Sequence, residues 1–202
     1  KGYRDAFPVD SASSANTVGR PEFFTSPPAV FPGSDILEQP RTERVARFRA
    51  ILERGLHGIA FSPYLDGQSP GIHVSEQQIR DRLSIIQPYT RWIRSFSCLE
   101  GNQETPRIAY ELWVKNMVGI CFGEHKEINE TELANGVNLA QAGHADILAV
   151  GNEVLLRGDV SEGQLIDYIE RAKAAVPEVE VGYVDAYFEF ADHPNVTAAC
   201  DV

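Results

Sequence analysis

The stretch that decides the fold is ILAVGNEVLLRGDVSEGQLIDYIERAKAAVPEVEVGYV, residues 147–184. It begins with a short apolar run, residues 147–150, and ends with another, residues 179–184, and each has the length and composition of a buried strand. Between them, Ser161 and Gln164 have the spacing of a capping box, in which the serine oxygen accepts from an N3 amide and the glutamine returns the bond. The stretch therefore predicts a strand, a loop, a helix and a second strand.

The same alternation repeats toward both ends of the chain, at intervals of about 30 residues. Further strands are predicted at residues 57–62, 91–96 and 118–122 and from Ala199 onward, and further capping boxes at Ser75 with Gln78 and Asn129 with Glu132. Short apolar strands separated by helices indicate a parallel sheet, either open and doubly wound or closed into a barrel. A dinucleotide-binding sheet would place GxGxxG after its first strand, whereas residues 61–71 read FSPYLDGQSPG.

The chain divides by composition into a leader and one domain. Residues 1–37 are rich in Pro, Ser, Ala and Gly without any helical or strand period, and we interpret them as a leader or linker. Residues 38–202 form the domain, which opens with an amphipathic helix expected to end at Gly55. Five βα units and the start of a sixth strand follow, whereas a closed barrel has eight, so we expect a (β/α)8 barrel truncated after about five units.

Composition and charge exclude several classes of function. With 43% hydrophobic residues, the 202-residue chain can bury a sizeable core, and its net charge of −11 argues against nucleic-acid binding. No apolar run is long enough for membrane insertion by this segment. The histidines lack metal-ligand spacing, and the three cysteines lack a CxxC pair and are interpreted as small core residues, so we expect no metal and no cofactor. The chain begins with Lys, which suggests that an upstream segment was removed, whether a signal, an anchor or cloned sequence. We expect an extracytoplasmic location.

In a βα barrel the reactive groups lie at the C-terminal ends of the strands. The predicted strand ends carry aromatic, carboxylate, amide and guanidinium side chains: Phe61, Tyr64, Arg94, Glu124, Asn152, Glu153, Asp185 and Tyr187. Aromatic rings stack on the apolar faces of sugars, while carboxylates and amides bond to their hydroxyls. The strand ends therefore favour a neutral, polyhydroxylated ligand.

The run VGNEV at residues 150–154 resembles the fourth-strand motif of glycoside hydrolase family 17, the β-1,3-glucan enzymes of a larger clan of retaining barrels. Other segments agree with that family in order and spacing: GIAFSPY (58–64), TRWIRSFSC (90–98), VGI (118–120) and VGYVDAYFEFADHP (181–194). The resemblance extends over residues 56–202. It is closer to the bacterial and fungal exo-acting or glucosyl-transferring members than to the plant endoglucanases.

The resemblance implies roles for particular residues. Glu153 would be the general acid/base, which protonates the departing glycosidic oxygen and needs a raised pKa to do so. Asn152 would bond the sugar 2-hydroxyl, and Arg94 would brace the active-site carboxylates. The other expected substrate-binding residues are Tyr64, Phe61 and Tyr187 as sugar platforms, together with Asp185. No segment of this chain matches the family's nucleophile, which comes from a later strand.

The function expected from the resemblance is hydrolysis or transglycosylation of β-1,3-linked glucan, without cofactor or metal. Two alternatives stay open. In the first, the chain is a catalytically inactive fragment or half-barrel that assembles with a partner. Open sheet edges would favour such self-association. Alternatively, it is another retaining-clan glycosidase such as a cellulase, because Asn-Glu after the fourth strand is widely shared in that clan.

Overall fold

The computed structural model describes residues 34–202, so residues 1–33 of the predicted leader lie outside the described part. The described residues divide into two units, residues 34–54 and Gly55–Val202. In the first, a 3-10 helix at Ser34–Glu38 precedes helix α1, Arg41–Arg54. The predicted amphipathic helix is thus present, and it is followed, as expected, by a left-handed Gly55 with a φ of +84°.

The second unit alternates strands and helices. Its strands are β1 (Leu56–Ala60), β2 (Thr90–Arg94), β3 (Lys115–Ile120), β4 (Ile147–Asn152) and β5 (Glu180–Val184). Its helices are α2 (Glu76–Ile86), α3 (Glu104–Glu111), α4 (Lys126–Gln141), α5 (Val154–Arg157), α6 (Glu162–Ala175), α7 (Tyr187–Asp192) and α8 (Pro194–Ala199), with a 3-10 turn at Gln87–Tyr89. The five complete strands predicted from the apolar runs are confirmed. None of the helices in residues 34–202 is long and apolar enough to cross a membrane.

The sheet is parallel throughout, and its strand order, β1-β2-β3-β4-β5, is the order of the sequence. A doubly wound sheet reverses its order at a switch point, and this sheet does not. Crossovers of one hand in a constant direction place every connecting helix on the same face, as in a barrel wall. The structure therefore favours the barrel-type alternative over the doubly wound one, with one face of the sheet turned away from the helices.

The core lies between the sheet and its helices in two clusters. The larger joins β3, β4 and β5 to α4, α6 and α8, and includes Val118, Leu148 and Ile169, none of which is exposed. The smaller joins β2 and Phe61, the residue after β1, to α2 and α3 around Ile93. Alternate strand residues face this layer, so the intervening residues face the opposite side of the sheet.

The predicted capping boxes have three different outcomes. Ser161 forms the complete box with Gln164 at the start of α6. Ser75 accepts a bond from the Gln78 amide, as predicted, but the Gln78 side chain donates to the carbonyl of Pro63 (3.0 Å) instead of returning to Ser75. This bond links the start of α2 to the loop after β1.

The third predicted box, Asn129 with Glu132, is wrong. Helix α4 begins three residues earlier, at Lys126, and both residues are buried inside it. The Asn129 side chain folds back onto the loop before the helix, where it accepts from the Gly123 amide (2.9 Å) and donates to the Gly123 carbonyl (2.8 Å). Asn129 therefore stabilises the loop at the end of β3, and Glu132 is available for a different role.

Two further expectations are corrected. The predicted sixth strand does not begin at Ala199, because that residue ends α8. Only beyond it does the chain run beside β5, where the Asp201 amide donates to the Val181 carbonyl (2.8 Å). Of the cysteines interpreted as core residues, Cys98 is buried but Cys121 is exposed.

Candidate functional site

The predicted site residues Arg94 and Asn152 are brought together by the order of the strands. Arg94 ends β2 and Asn152 ends β4, and the two strands are separated in the sheet only by β3. The Arg94 Nη2 donates a hydrogen bond to Oδ1 of Asn152 across that strand. Because the amide oxygen is occupied by the guanidinium, the Asn152 Nδ2 is left as the group that can donate to a ligand.

Arg94 lies in a half-buried position at this end of the sheet. Its guanidinium carbon is 4.7 Å from the centre of the Phe96 ring, a cation–π contact. Burial lowers the pKa of Arg94, and the nearby charge of Glu153 opposes that lowering. Arg94 thus contacts the Asn152 side chain directly and interacts electrostatically with Glu153.

Glu153 itself adopts a backbone conformation that is unusual for a glutamate. The regular pairing of β4 with β5 is interrupted between Ala149 and Asn152, and Glu153 follows in the left-handed region with a φ of +54°. The Glu153 amide donates to the Val184 carbonyl of β5 (2.8 Å). A non-glycine residue in this region costs about 1–2 kcal/mol, and such strain clusters at functional sites.

The ring of Tyr183, on β5, packs closely against Gly151, two residues before Glu153. A Cβ atom added to Gly151, whose φ is +91°, would lie 3.1 Å from the Tyr183 ring. The Tyr183 hydroxyl donates to the Asp185 carboxylate and accepts from the Leu155 amide (3.0 Å). Burial, followed by the bond to Asp185, raises the pKa of Tyr183, so its hydroxyl remains a donor.

Asp185, predicted to bind substrate, is engaged by the protein itself. Besides Tyr183, its carboxylate accepts from the Ala186 amide (2.7 Å) and from the Leu156 amide (3.4 Å). These bonds connect the end of β5 to α5, the short helix that follows Glu153. The contacts of Asp185 support a role in holding the turn at Glu153.

The three predicted sugar platforms differ in exposure. Tyr187 is 62% exposed at the start of α7, and its ring meets that of Phe188 edge-on. Tyr64 is half-buried, and its hydroxyl accepts from the Asn102 side chain (3.2 Å). Phe61 is only 5% exposed and packs in the smaller core cluster. We therefore assign Phe61 to the core, and Tyr64 and Tyr187 stay predicted sugar platforms.

Glu132, which the sequence suggested only as a capping residue, is a carboxylate on α4 with only 2% exposure. It accepts from the Ser97 hydroxyl (2.5 Å), the Cys98 amide (2.8 Å) and the Cys121 amide (3.3 Å), and so joins the segments after β2 and β3. Burial raises the pKa of Glu132, and these hydrogen bonds oppose the rise. The available signal was its spacing from Gly136 and Ala140, which places a charge on the apolar face of a helix.

The arrangement can bind hydroxyl groups and exchange a proton without a metal. Within residues 34–202, no group of three His, Cys, Asp or Glu side chains could hold a metal ion. The Asn152 side chain supplies an amide donor, and Glu153, the next residue, supplies a carboxyl group. Arg94 bonds to the Asn152 side chain and interacts electrostatically with Glu153. These three groups lie at the C-terminal ends of parallel strands, where barrel enzymes carry their reactive groups.

The chain belongs to the BtgE/BtgC glycoside hydrolase domain family, whose model matches residues 58–202. The matched region begins within β1 and includes every predicted site residue. No curated protein is similar enough to this chain to count as a match.

Two solved structures from Rhizomucor miehei share the fold. One is a glycoside hydrolase family 17 β-1,3-glucanosyltransferase, with a TM-score of 0.61 and 22% identity. The other is an active-site mutant of the β-1,3-glucanosyltransferase in complex with laminaritriose, with a TM-score of 0.60 and 22% identity. Each match covers 74% of this chain and 56% of the other, so this chain spans little more than half the length of those structures.

Proposed function

We propose that the protein containing this chain cleaves β-1,3-linked glucan with retention of configuration, by hydrolysis or by transfer to another sugar, with Glu153 as the general acid/base. The observation that carries the proposal is the contact between Arg94 and Asn152 beside the strained turn at Glu153. Asn152 and Glu153 follow each other at the end of β4, so we expect an amide donor and a carboxyl group at the same end of the sheet. Membership of a glycoside hydrolase domain family supports the same reaction class.

In the first step, the Glu153 carboxyl gives its proton to the glycosidic oxygen as the bond between that oxygen and the anomeric carbon breaks. A second carboxylate attacks the anomeric carbon and forms a covalent glycosyl intermediate. Glu153, now ionised, then takes a proton from water or from a sugar hydroxyl, whose oxygen displaces the enzyme carboxylate. The Asn152 Nδ2 would donate to the sugar 2-hydroxyl, a bond that strengthens in the transition state.

The proposal requires that second carboxylate about 5–5.5 Å from Glu153. Asp185, at the end of the neighbouring strand, is occupied by bonds from Tyr183, Ala186 and Leu156. We therefore place the nucleophile outside residues 34–202. We likewise propose that the five strands are the first five of an eight-stranded barrel. The share of the matched structures that the chain covers, 56%, agrees with this proposal.

Product chromatography on laminari-oligosaccharides tests the proposal, with the 202-residue chain and the longest natural form of the protein that contains it. We expect Glu153→Gln to lower kcat about 10²- to 10⁴-fold, because general acid catalysis is lost while the shape of the site is kept. Glu178→Gln, on the exposed loop before β5, is the matched control and should leave kcat unchanged. Products longer than the substrate would indicate transfer rather than hydrolysis.

Cello-oligosaccharides, assayed in parallel, separate the proposal from a cellulase-type activity. Activity on the β-1,4 series alone would contradict the β-1,3 assignment while leaving the role of Glu153 in place. Full activity of Glu153→Gln on either series would contradict the mechanism itself.

A second candidate is a half-barrel that is inactive alone and assembles with a partner. Among the described strands, β1 pairs only with β2, so its other edge has no neighbouring strand. Open edges of this kind favour association. Sedimentation analysis of the 202-residue chain distinguishes the two candidates: a stable dimer without activity, beside an active longer form, would support assembly of the isolated piece.

A further inference from the structure

Arg157, the last residue of α5, joins the ends of two strands with one side chain. Its Nη1 donates to the Asn152 carbonyl at the end of β4 (2.6 Å), and its Nη2 donates to the Phe122 carbonyl just beyond β3 (3.2 Å). The Arg157 amide also donates to the Glu153 carbonyl (3.0 Å), one helical turn earlier. The guanidinium therefore holds the residue before Glu153 against the neighbouring strand.

Asp159 fixes the orientation of that guanidinium. Its Oδ2 accepts from Nε of Arg157 (2.7 Å) and lies 2.6 Å from Nη2, and the Asp159 side chain is only 15% exposed. The Asp159 amide donates to the Val154 carbonyl (2.9 Å), which anchors the carboxylate to α5. All three guanidinium nitrogens are thus engaged, in a geometry that a planar fork supplies and a lysine ammonium does not.

The turn held by Arg157 needs support from outside its own backbone. Pairing of β4 with β5 is irregular up to Asn152, and the left-handed conformation of Glu153 is unfavourable for a residue with a side chain. Such a conformation persists only where the surroundings over-determine it. The surroundings here are the Val184 carbonyl on the β5 side and the Arg157 guanidinium on the β3 side.

We propose that Arg157 is a positioning residue for the reaction: by bonding the carbonyls of Asn152 and Phe122, it sets the direction in which the Asn152 amide and the Glu153 carboxyl face the glucan. The inference rests on the proposed function for its catalytic consequence. Its structural part, that Arg157 maintains the turn at Glu153, does not depend on which substrate is used.

The kinetic test compares Arg157→Met, Arg157→Lys and Asp159→Asn on laminari-oligosaccharides, in the longest natural form of the protein. A misplacement of about 1 Å can cost about 10²-fold in rate, so Arg157→Met should lower kcat by that order with little change in KM. Arg157→Lys should recover part of the loss, because an ammonium can reach one of the two carbonyls. The matched control is Arg171→Met, which breaks one ion pair to Glu130 on α4 and another to Asp167 on its own helix α6, and should leave kcat unchanged.

Hydrogen exchange of the Glu153 amide tests the structural part without any substrate. In Arg157→Met its protection should fall about 10-fold or more relative to the β3 amides, and in Arg171→Met it should not change. An unaltered Glu153 amide together with unaltered kcat would overturn the proposal, even if the melting temperature fell. If the native protein has no activity on laminari-oligosaccharides but the exchange result is obtained, the proposed function fails while Arg157 is still shown to hold the turn.

Discussion

One side chain from a helix joins the end of β2 to the end of β3, and another joins the end of β3 to the end of β4. The two connections differ in kind. Between β2 and β3 the connecting group is Glu132, which has 2% exposure and bonds to two backbone amides and a hydroxyl. Between β3 and β4 it is Arg157, an exposed residue that bonds to two carbonyls.

The difference follows from the backbone that each side chain serves. Glu132 supplies an acceptor to the Cys98 amide, which would otherwise be buried without a partner, so it removes a cost that any folded state would carry. Arg157 instead lies beside a left-handed glutamate, a conformation that the fold alone does not favour. We infer that the first connection serves stability and that the second maintains the strained backbone at Glu153, the proposed acid/base.

The largest expected effect is on the first connection. Glu132→Leu keeps a side chain of similar size but leaves the buried Cys98 amide without an acceptor, at about 1–3 kcal/mol. We expect the free energy of unfolding to fall by about 1–3 kcal/mol in urea denaturation. Glu130→Leu, on the same helix, removes only a half-exposed ion pair to Arg171 and should cost less than about 1 kcal/mol. Equal losses in the two variants would contradict the buried role of Glu132.

A smaller effect of opposite sign is expected at the second connection. Glu153→Gly relieves the left-handed strain, and after the entropic cost of glycine we expect a gain of about 0.5–1 kcal/mol in the free energy of unfolding, with loss of activity. Trp113→Gly is the matched control, because Trp113 has a φ of +61° and a 94% exposed side chain. It should give a similar gain with no loss of activity. A loss of stability in Glu153→Gly alone would mean that the Glu153 side chain supports the turn.

The alternation of strands and helices could be predicted because it is a local property of the sequence. Each strand is a short apolar run, and the box at Ser161 depends on residues only three apart, so both are visible without knowledge of the rest of the chain. The strand order was not visible in the same way. The doubly wound alternative could be set aside only from the structure, in which each strand pairs with its neighbour in the sequence.

Site residues could be predicted where a position at the end of a strand was sufficient to identify them. They could not be predicted where the direction of a side chain decides what it contacts. Arg94 and Asn152 were predicted from their places after β2 and β4, and the structure brings them into contact. Phe61 was expected at the site because it follows β1, but the structure buries its ring in the smaller core cluster. Glu132 was misread as the partner of Asn129 in a capping box, whereas the helix begins at Lys126 and Asn129 bonds to Gly123 in the loop before it.

The smallest effect concerns the protonation of Glu132. Burial raises its pKa in the folded state, so the folded protein holds this proton more tightly than the unfolded chain does. The resulting contribution to stability is complete below the ordinary glutamate pKa of about 4.3, and is lost as the pH rises through the raised pKa. Glutamine imitates the protonated carboxyl, so the advantage of the native protein over Glu132→Gln should shrink between pH 4 and pH 8.

Urea denaturation of both proteins across this pH range measures that advantage, and Glu178→Gln, which removes the same charge from an exposed loop, corrects for net charge. An advantage that grows with pH would mean that the bonds from Ser97, Cys98 and Cys121 favour the carboxylate more than burial disfavours it. Glu132 would then resemble Arg157 in acting as a charged connector, and the contrast between the two connections would rest on backbone strain alone.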